Sequence, residues 1–135
     1  MNLKNNNSHI TNHNFFTIHA TKLAQKLLGK ILVQKINDQV IKVKIVETEA
    51  YMGLSDKACH SHWENRSRKK ATAMYNQGGC AYIYLIYSMY YCFNIVSAKV
   101  EDPQAVLIRA AEPLDHHTIP AVSQHNQKKK ISLLH

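Results

Sequence analysis

Cysteine is scarce in this 135-residue chain, and the three that occur, Cys59, Cys80 and Cys92, form no Cys-x-x-Cys pair. An odd count without paired spacing argues against a disulfide framework and points to a reducing cytoplasm. Acidic residues are also few. Nine Asp and Glu stand against seventeen Lys and Arg, for a formal net charge of +8 and a pI near 9.5. That balance attracts polyanions such as nucleic acid or acidic lipid. Long apolar runs are missing, since no stretch reaches the about 18 uninterrupted residues that a membrane-spanning helix needs. The opening MNLKNNNSHITNHN has no apolar segment of secretory type, so no export signal is expected. Nothing repeats internally. With 45% hydrophobic residues, the chain suits one globular domain with a real core and is too short for two.

What is present is organised around VIKVKIVETEAY, residues 40–51. In a regular strand Ile41, Val43 and Ile45 share a face with Glu47, Glu49 and Tyr51, so the carboxylates continue the apolar side. Carboxylates leaving water need partners, which suggests a pocket floor; a strand end emerging into solvent is the alternative. Upstream, residues 1–14 are Asn-rich and predicted to be a flexible tail. Leu23, Leu27 and Leu28 define one face of a helix that Gly29 stops. Residues 31–36 and 39–48 read as a hairpin turning at Asn37-Asp38.

Residues 52–79 change character and become polar and basic. Ser55 caps a predicted turn through Asp56 to His60, and a second helix is predicted over 68–75. The run Arg66, Arg68, Lys69 and Lys70 is either a solvated helix face or a set of phosphate contacts. Residues 81–96 hold no Gly, Pro or charge, and as one strand they would span roughly 50 Å. A hairpin reversing at Tyr87-Ser88 is therefore predicted, with Tyr87 and Met89 at its tip. Such a tip either wedges between base steps or packs beneath a neighbouring loop. Arg109 interrupts the apolar strand 105–111 and needs an anion, for which Glu47 or Glu49 would serve. Asp56 and Lys44 are read as structural. Residues 115–135 show no period and are expected to be a disordered basic tail.

The ordered blocks LLGKILV, IVETEAYMG, DKACHS, AMYNQGG, YIYLIYSMYYCFNIV and VLIRAAEPL together resemble the alkyladenine type of 3-methyladenine DNA glycosylase, over about residues 15–114. The resemblance implies an α+β domain, a curved and mostly antiparallel sheet with hairpins and flanking helices. It implies a monomeric bacterial enzyme of the cytoplasm and nucleoid, with no membrane association and no metal or other cofactor. Its substrate would be double-stranded DNA carrying an alkylated or deaminated purine, such as 3-methyladenine or hypoxanthine. By position, Glu49 is the general base and Arg109 lies beside the catalytic water. Tyr51 and His60 hold the extruded base, Tyr84 stacks from the other side and Asn94 screens against the guanine amino group. Tyr87 fills the gap left in the duplex, with Met89 flanking it. The basic run Arg66, Arg68, Lys69 and Lys70, read from its charge and not from the resemblance, is assigned to the DNA backbone.

Two departures from the family pattern stand out. Ser88 occupies a turn position where glycine is usual, and the basic tail replaces the further strand and helix that follow the EPL block. The chain thus reads as lacking the family's C-terminal part. Three other readings are an inactive relic with residual nonspecific nucleic-acid binding, a nonspecific single-strand binder, and a metalloprotein built on some of the nine histidines. His60 with His62, and His116 with His117, give no recognised ligand frame. A paired-carboxylate sugar hydrolase is weaker, because Glu47 and Glu49 lie on one strand rather than across a scissile bond.

Overall fold

Helix α1 (Ala20–Leu27) forms where apolar residues recur at helical spacing, and it buries Ala20, Leu23, Ala24 and Leu27 along one stripe. The computed structural model describes residues 10, 12–36, 38–65 and 71–114. At the start of α1 the His19 ring accepts the Thr21 N–H, and the Ala20 N–H donates to Gln104 Oε1 at 2.9 Å. The helix ends at Leu27, and Gly29, just beyond the cap residue Leu28, has a φ of +77° that suits a residue without Cβ. Leu28 was expected on the buried stripe with Leu23 and Leu27; it is 46% exposed. The helix has already ended there, so the 3.6-residue period no longer sets its direction.

Five strands, β1 (Ile31–Ile36), β2 (Gln39–Tyr51), β3 (Ala81–Ile86), β4 (Tyr90–Ser97) and β5 (Gln104–Pro113), form one sheet in the order β1-β2-β5-β4-β3. Every pairing is antiparallel, giving the α+β class expected from the sequence. Among the described residues α1 is the only α-helix, accompanied by 3₁₀ turns. One of them, His13–Phe15, takes in two residues of the predicted tail; residues 1–9 and 11 lie outside the described residues. Another, Thr72–Tyr75, is the described part of the predicted second helix. Residues 115–135 also lie outside.

Strand alternation gives the sheet two different faces. On one, Ile45, Ile95, Val106 and Ile108 pack against α1. On the other, Tyr82, Val96 and Ala105 pack with Cys59, Ala71 and Met74 of the connecting loops, and Tyr51 and Tyr84 join that cluster.

A pair of bulges decides which face the acids take. Along β2 and β5, Ile45 pairs with Ala111, Glu47 with Ala110, and Thr48 with Ile108. Val46 on β2 and Arg109 on β5 are the extra residues, and the register recovers beyond them. The consequence overturns the simple alternation: Ile45 and Thr48, three positions apart, both face α1, with the Thr48 hydroxyl donating to Ala24 O at 3.0 Å. Glu49 and Tyr51 therefore lie on the opposite face from Ile45, in the second cluster's territory. Bulges do this because each inserted residue shifts the alternation by one.

The β3–β4 hairpin reverses at Tyr87, Ser88 and Met89, as predicted, and leaves Tyr87 80% and Met89 64% exposed. Tyr87 and Ser88 have φ of 49° and 55°, a left-handed backbone that glycine adopts without strain. Ser88→Gly is expected to raise stability by about 1 kcal/mol, the αL penalty partly offset by glycine's greater freedom when unfolded. A urea midpoint equal to or below that of the unmodified chain would count against strain at this turn.

Candidate active site

The sheet register brings the chemistry-bearing residues together before any side-chain contact is considered. Tyr82, Asn94, Leu107 and Glu49 stand side by side on β3, β4, β5 and β2. Residues two positions away on those strands share their face, which adds Tyr84, Cys92, Ala105 and Tyr51. Above this face runs the loop that leaves β2. Asp56 shapes it by accepting N–H bonds from Met52 and Ala58, each at 3.0 Å. Asp56, rather than Ser55, is thus the capping side chain. Ser61 donates to Pro103 O at 3.0 Å and so has no proton left for Cys59, whose thiol donates to Ser61 Oγ at 3.0 Å. These bonds anchor the segment that carries His60.

A pocket opens between loop and sheet, lined by Tyr51, Cys59, His60, Met74, Tyr82, Tyr84 and Asn94. Its walls are aromatic. The His60 and Tyr84 ring centroids are 4.4 Å apart, and Tyr82 lies 5.3 Å from Tyr84. His60 is therefore in contact with Tyr84 and shares its wall, instead of standing across from it. His60 Nδ1 and Tyr82 Oη share a hydrogen bond of 3.0 Å, which fixes the imidazole plane. The Asn94 amide donates to the carbonyls of Tyr82 and Cys92, at 3.1 and 3.4 Å, so it too is held rigidly.

Arg109 joins both acids. Its Nε donates to Glu47 Oε1 at 3.1 Å and its NH1 group to Glu49 Oε2 at 2.5 Å. The hydrogen bond and charge of Glu49, then the charge of Glu47, hold the guanidinium above its ordinary pKa. Glu49 also lies beside Tyr51, a residue of the pocket wall. Burial, and after it the Glu49 charge, pushes the Tyr51 phenol up to about 12. Burial likewise raises the Tyr84 and Tyr82 phenols, so all three rings are neutral at pH 7. Lys44 pairs with Glu112 at 3.3 Å, in keeping with a structural role.

Burial lowers the His60 pKa below its usual 6.5. The unfolded chain then binds a proton at higher pH than the folded one, so stability is full above about pH 6.5 and falls as pH drops below it. Comparing urea midpoints at pH 7.5 and 5.5 tests this: His60→Gln is expected to lose less stability on acidification than the unmodified chain. An equal loss in both would remove His60 from the account.

Tyr51, His60, Tyr84 and Asn94 line one pocket, and Glu49, bonded to Arg109, lies next to Tyr51. Tyr87 and Met89 occupy the hairpin tip beyond Tyr84. Arg66, Arg68, Lys69 and Lys70 lie outside the described residues. Tyr82 was not singled out from the sequence, although its period-two spacing from Tyr84 was the available signal. Among the described residues no three His, Cys, Asp or Glu side chains gather to hold a metal, and no helix is long and apolar enough to cross a membrane.

Comparison with known proteins gives a consistent result. The family model described as Methylpurine-DNA glycosylase (MPG) matches residues 14–135, a match that runs beyond Leu114. A protein of Borrelia garinii subsp. bavariensis is 52% identical over 100 residues, covering 74% of this chain and 53% of its own length. One from Clostridium botulinum is 44% identical over 119 residues, 88% of this chain and 58% of its own length. A third, from Bdellovibrio bacteriovorus, is 45% identical over 116 residues, 86% of this chain and 56% of its own length. All three carry the name "Putative 3-methyladenine DNA glycosylase". The chain spans about half the length of the curated relatives it matches.

Proposed function

The chain belongs to the methylpurine-DNA glycosylase family, and on that premise we propose that its aromatic pocket receives an alkylated or deaminated purine rotated out of duplex DNA. One observation carries the reading: a carboxylate clamped by an arginine acts on Tyr51, one of the neutral aromatic rings that wall the pocket.

The glycosidic bond is inaccessible inside a duplex, so the nucleotide is extruded at a cost of a few kcal/mol, lowest for a damaged pair. Tyr87 and Met89, exposed at the hairpin tip, fill the gap left behind. The purine enters between Tyr51 and the joined wall of His60 and Tyr84, which must part to admit it, since the pocket measures about 10 Å³. A methylated purine carries positive charge, which favours the electron-rich ring faces. Normal bases stack there as well, so selection needs a steric element, and the immobilised Asn94 amide supplies it. As the bond from C1′ to the purine nitrogen lengthens, its electron pair leaves with the base and the sugar becomes cationic. Glu49 stabilises that charge and takes a proton from the water that attacks C1′. The products are an abasic site and a free purine: a cationic methylated base leaves neutral, whereas hypoxanthine leaves as an anion that takes its proton from solvent. Duplex DNA is the partner, attracted in part by the chain's net charge of +8.

The deciding experiment incubates the purified chain with duplexes carrying hypoxanthine or a methylated adenine and measures cleavage of abasic sites by hot alkali. Product from damaged duplexes and none from undamaged ones is expected. A folded chain that binds duplex but releases no base would replace this reading with DNA binding by an inactive relative.

A further inference from the structure

The repair reading uses Glu49 and Arg109 and leaves Glu47 without a task, yet Glu47 is built into the same cluster. We infer that Glu47 is a positioning residue: it holds the Arg109 guanidinium so that only one donor reaches Glu49. The inference rests on the proposed repair function.

A free arginine and a carboxylate tend to pair fork to fork, two parallel N–H bonds meeting both oxygens. That arrangement would tie up both Glu49 oxygens at the site where one must face water. Here the fork is divided. Nε donates to Glu47 Oε1 at 3.1 Å, and Arg109 touches Glu49 through Oε2 alone. The paired bulges make the division possible. Arg109 has no ladder partner of its own, Glu47 pairs with Ala110, and the two acids flank Thr48, whose side chain points to α1. In an unbulged ladder Arg109 would have had a strand partner opposite it. Glu47 is also the more exposed acid, 56% against 38% for Glu49, so it is placed for orientation more than for contact with a buried base.

The test uses Glu47→Gln in the intact chain, with circular dichroism to verify folding. In nitrogen-15 spectra the Arg109 Nε–Hε signal is assigned by its loss in Arg109→Lys, and its exchange with water is measured. Glu47→Gln is expected to speed that exchange severalfold. Single-turnover release of hypoxanthine is expected to slow about tenfold, inside the ~10²-fold that an ångström-scale misplacement costs, with unchanged affinity for the duplex. In an Arg109→Lys background the same substitution should add no further loss, because lysine has no fork to divide. Exchange unaltered by Glu47→Gln, or an equal rate loss in both backgrounds, overturns the positioning role while leaving the repair reading intact. A chain that releases no base but keeps a protected Arg109 Nε–Hε overturns the repair reading and not the clamp.

Discussion

Replacing Glu49 with glutamine is expected to lower the single-turnover rate of base release by about 10²–10⁴-fold while leaving the fold and duplex affinity unchanged. Glutamine keeps the shape and one carbonyl oxygen, so Arg109 still has an acceptor there, and Glu47 still supplies an anion for the guanidinium. What disappears is the negative charge facing the developing sugar cation and the ability to take a proton from water. Structure supplies a second, independent readout. Burial raises the Tyr51 phenol first and Glu49 raises it further, to about 12. Glu49→Gln removes only the second cause, so the Tyr51 phenol should ionise at lower pH than in the unmodified chain, but still above the ordinary tyrosine value. Ultraviolet absorbance at alkaline pH, with Tyr51→Phe to identify the signal, measures this. Retained release with an unshifted phenol would show that the carboxylate neither adjoins the pocket nor acts in it.

Short-range rules made much of this site legible. The stop at Gly29 and the reversal at Tyr87-Ser88 follow from which residues tolerate a left-handed backbone or a tight turn, and both are where the sequence places them. The pairing of Arg109 with acids of β2 follows from the cost of leaving a guanidinium unpaired on an apolar strand. The face taken by those acids was not legible. It depends on extra residues at Val46 and Arg109, and neither carries a local signature such as glycine, because a bulge is a property of two strands in register. The regular alternation of VIKVKIVETEAY is therefore misleading at one step, the step that moves Glu49 from the side of α1 to the side of the pocket. His60 shows the same limit. Its place on the wall with Tyr84 is set by the Tyr82 hydroxyl, twenty-two residues away, through a bond that no sequence spacing announces.

The same contrast between local period and tertiary partner predicts where the fold is most easily broken. Leu23 is fully buried at the centre of the α1 stripe, against a sheet face that includes Ile45, Val106 and Ile108. Leu23→Ala is expected to cost about 2–5 kcal/mol through lost burial and the cavity left behind. That is a large share of the about 5–15 kcal/mol that stabilises a whole domain, and it corresponds to a fall in melting temperature of about 10–30 °C. Leu28→Ala is expected to stay within about 0.5 kcal/mol, since that side chain already faces solvent. The two leucines look alike in the sequence pattern, so the comparison isolates helix register on the sheet. It also separates stability from chemistry. Helix α1 packs on the sheet face away from the pocket, and it bonds to the strands that carry the site through Thr48 to Ala24 and Ala20 to Gln104. Base release by Leu23→Ala should accordingly track the folded fraction and recover on cooling, whereas release by Glu49→Gln should stay lost at every temperature. Equal melting of the Leu23→Ala and Leu28→Ala chains in thermal circular dichroism would mean that α1 does not lie on the sheet in this register.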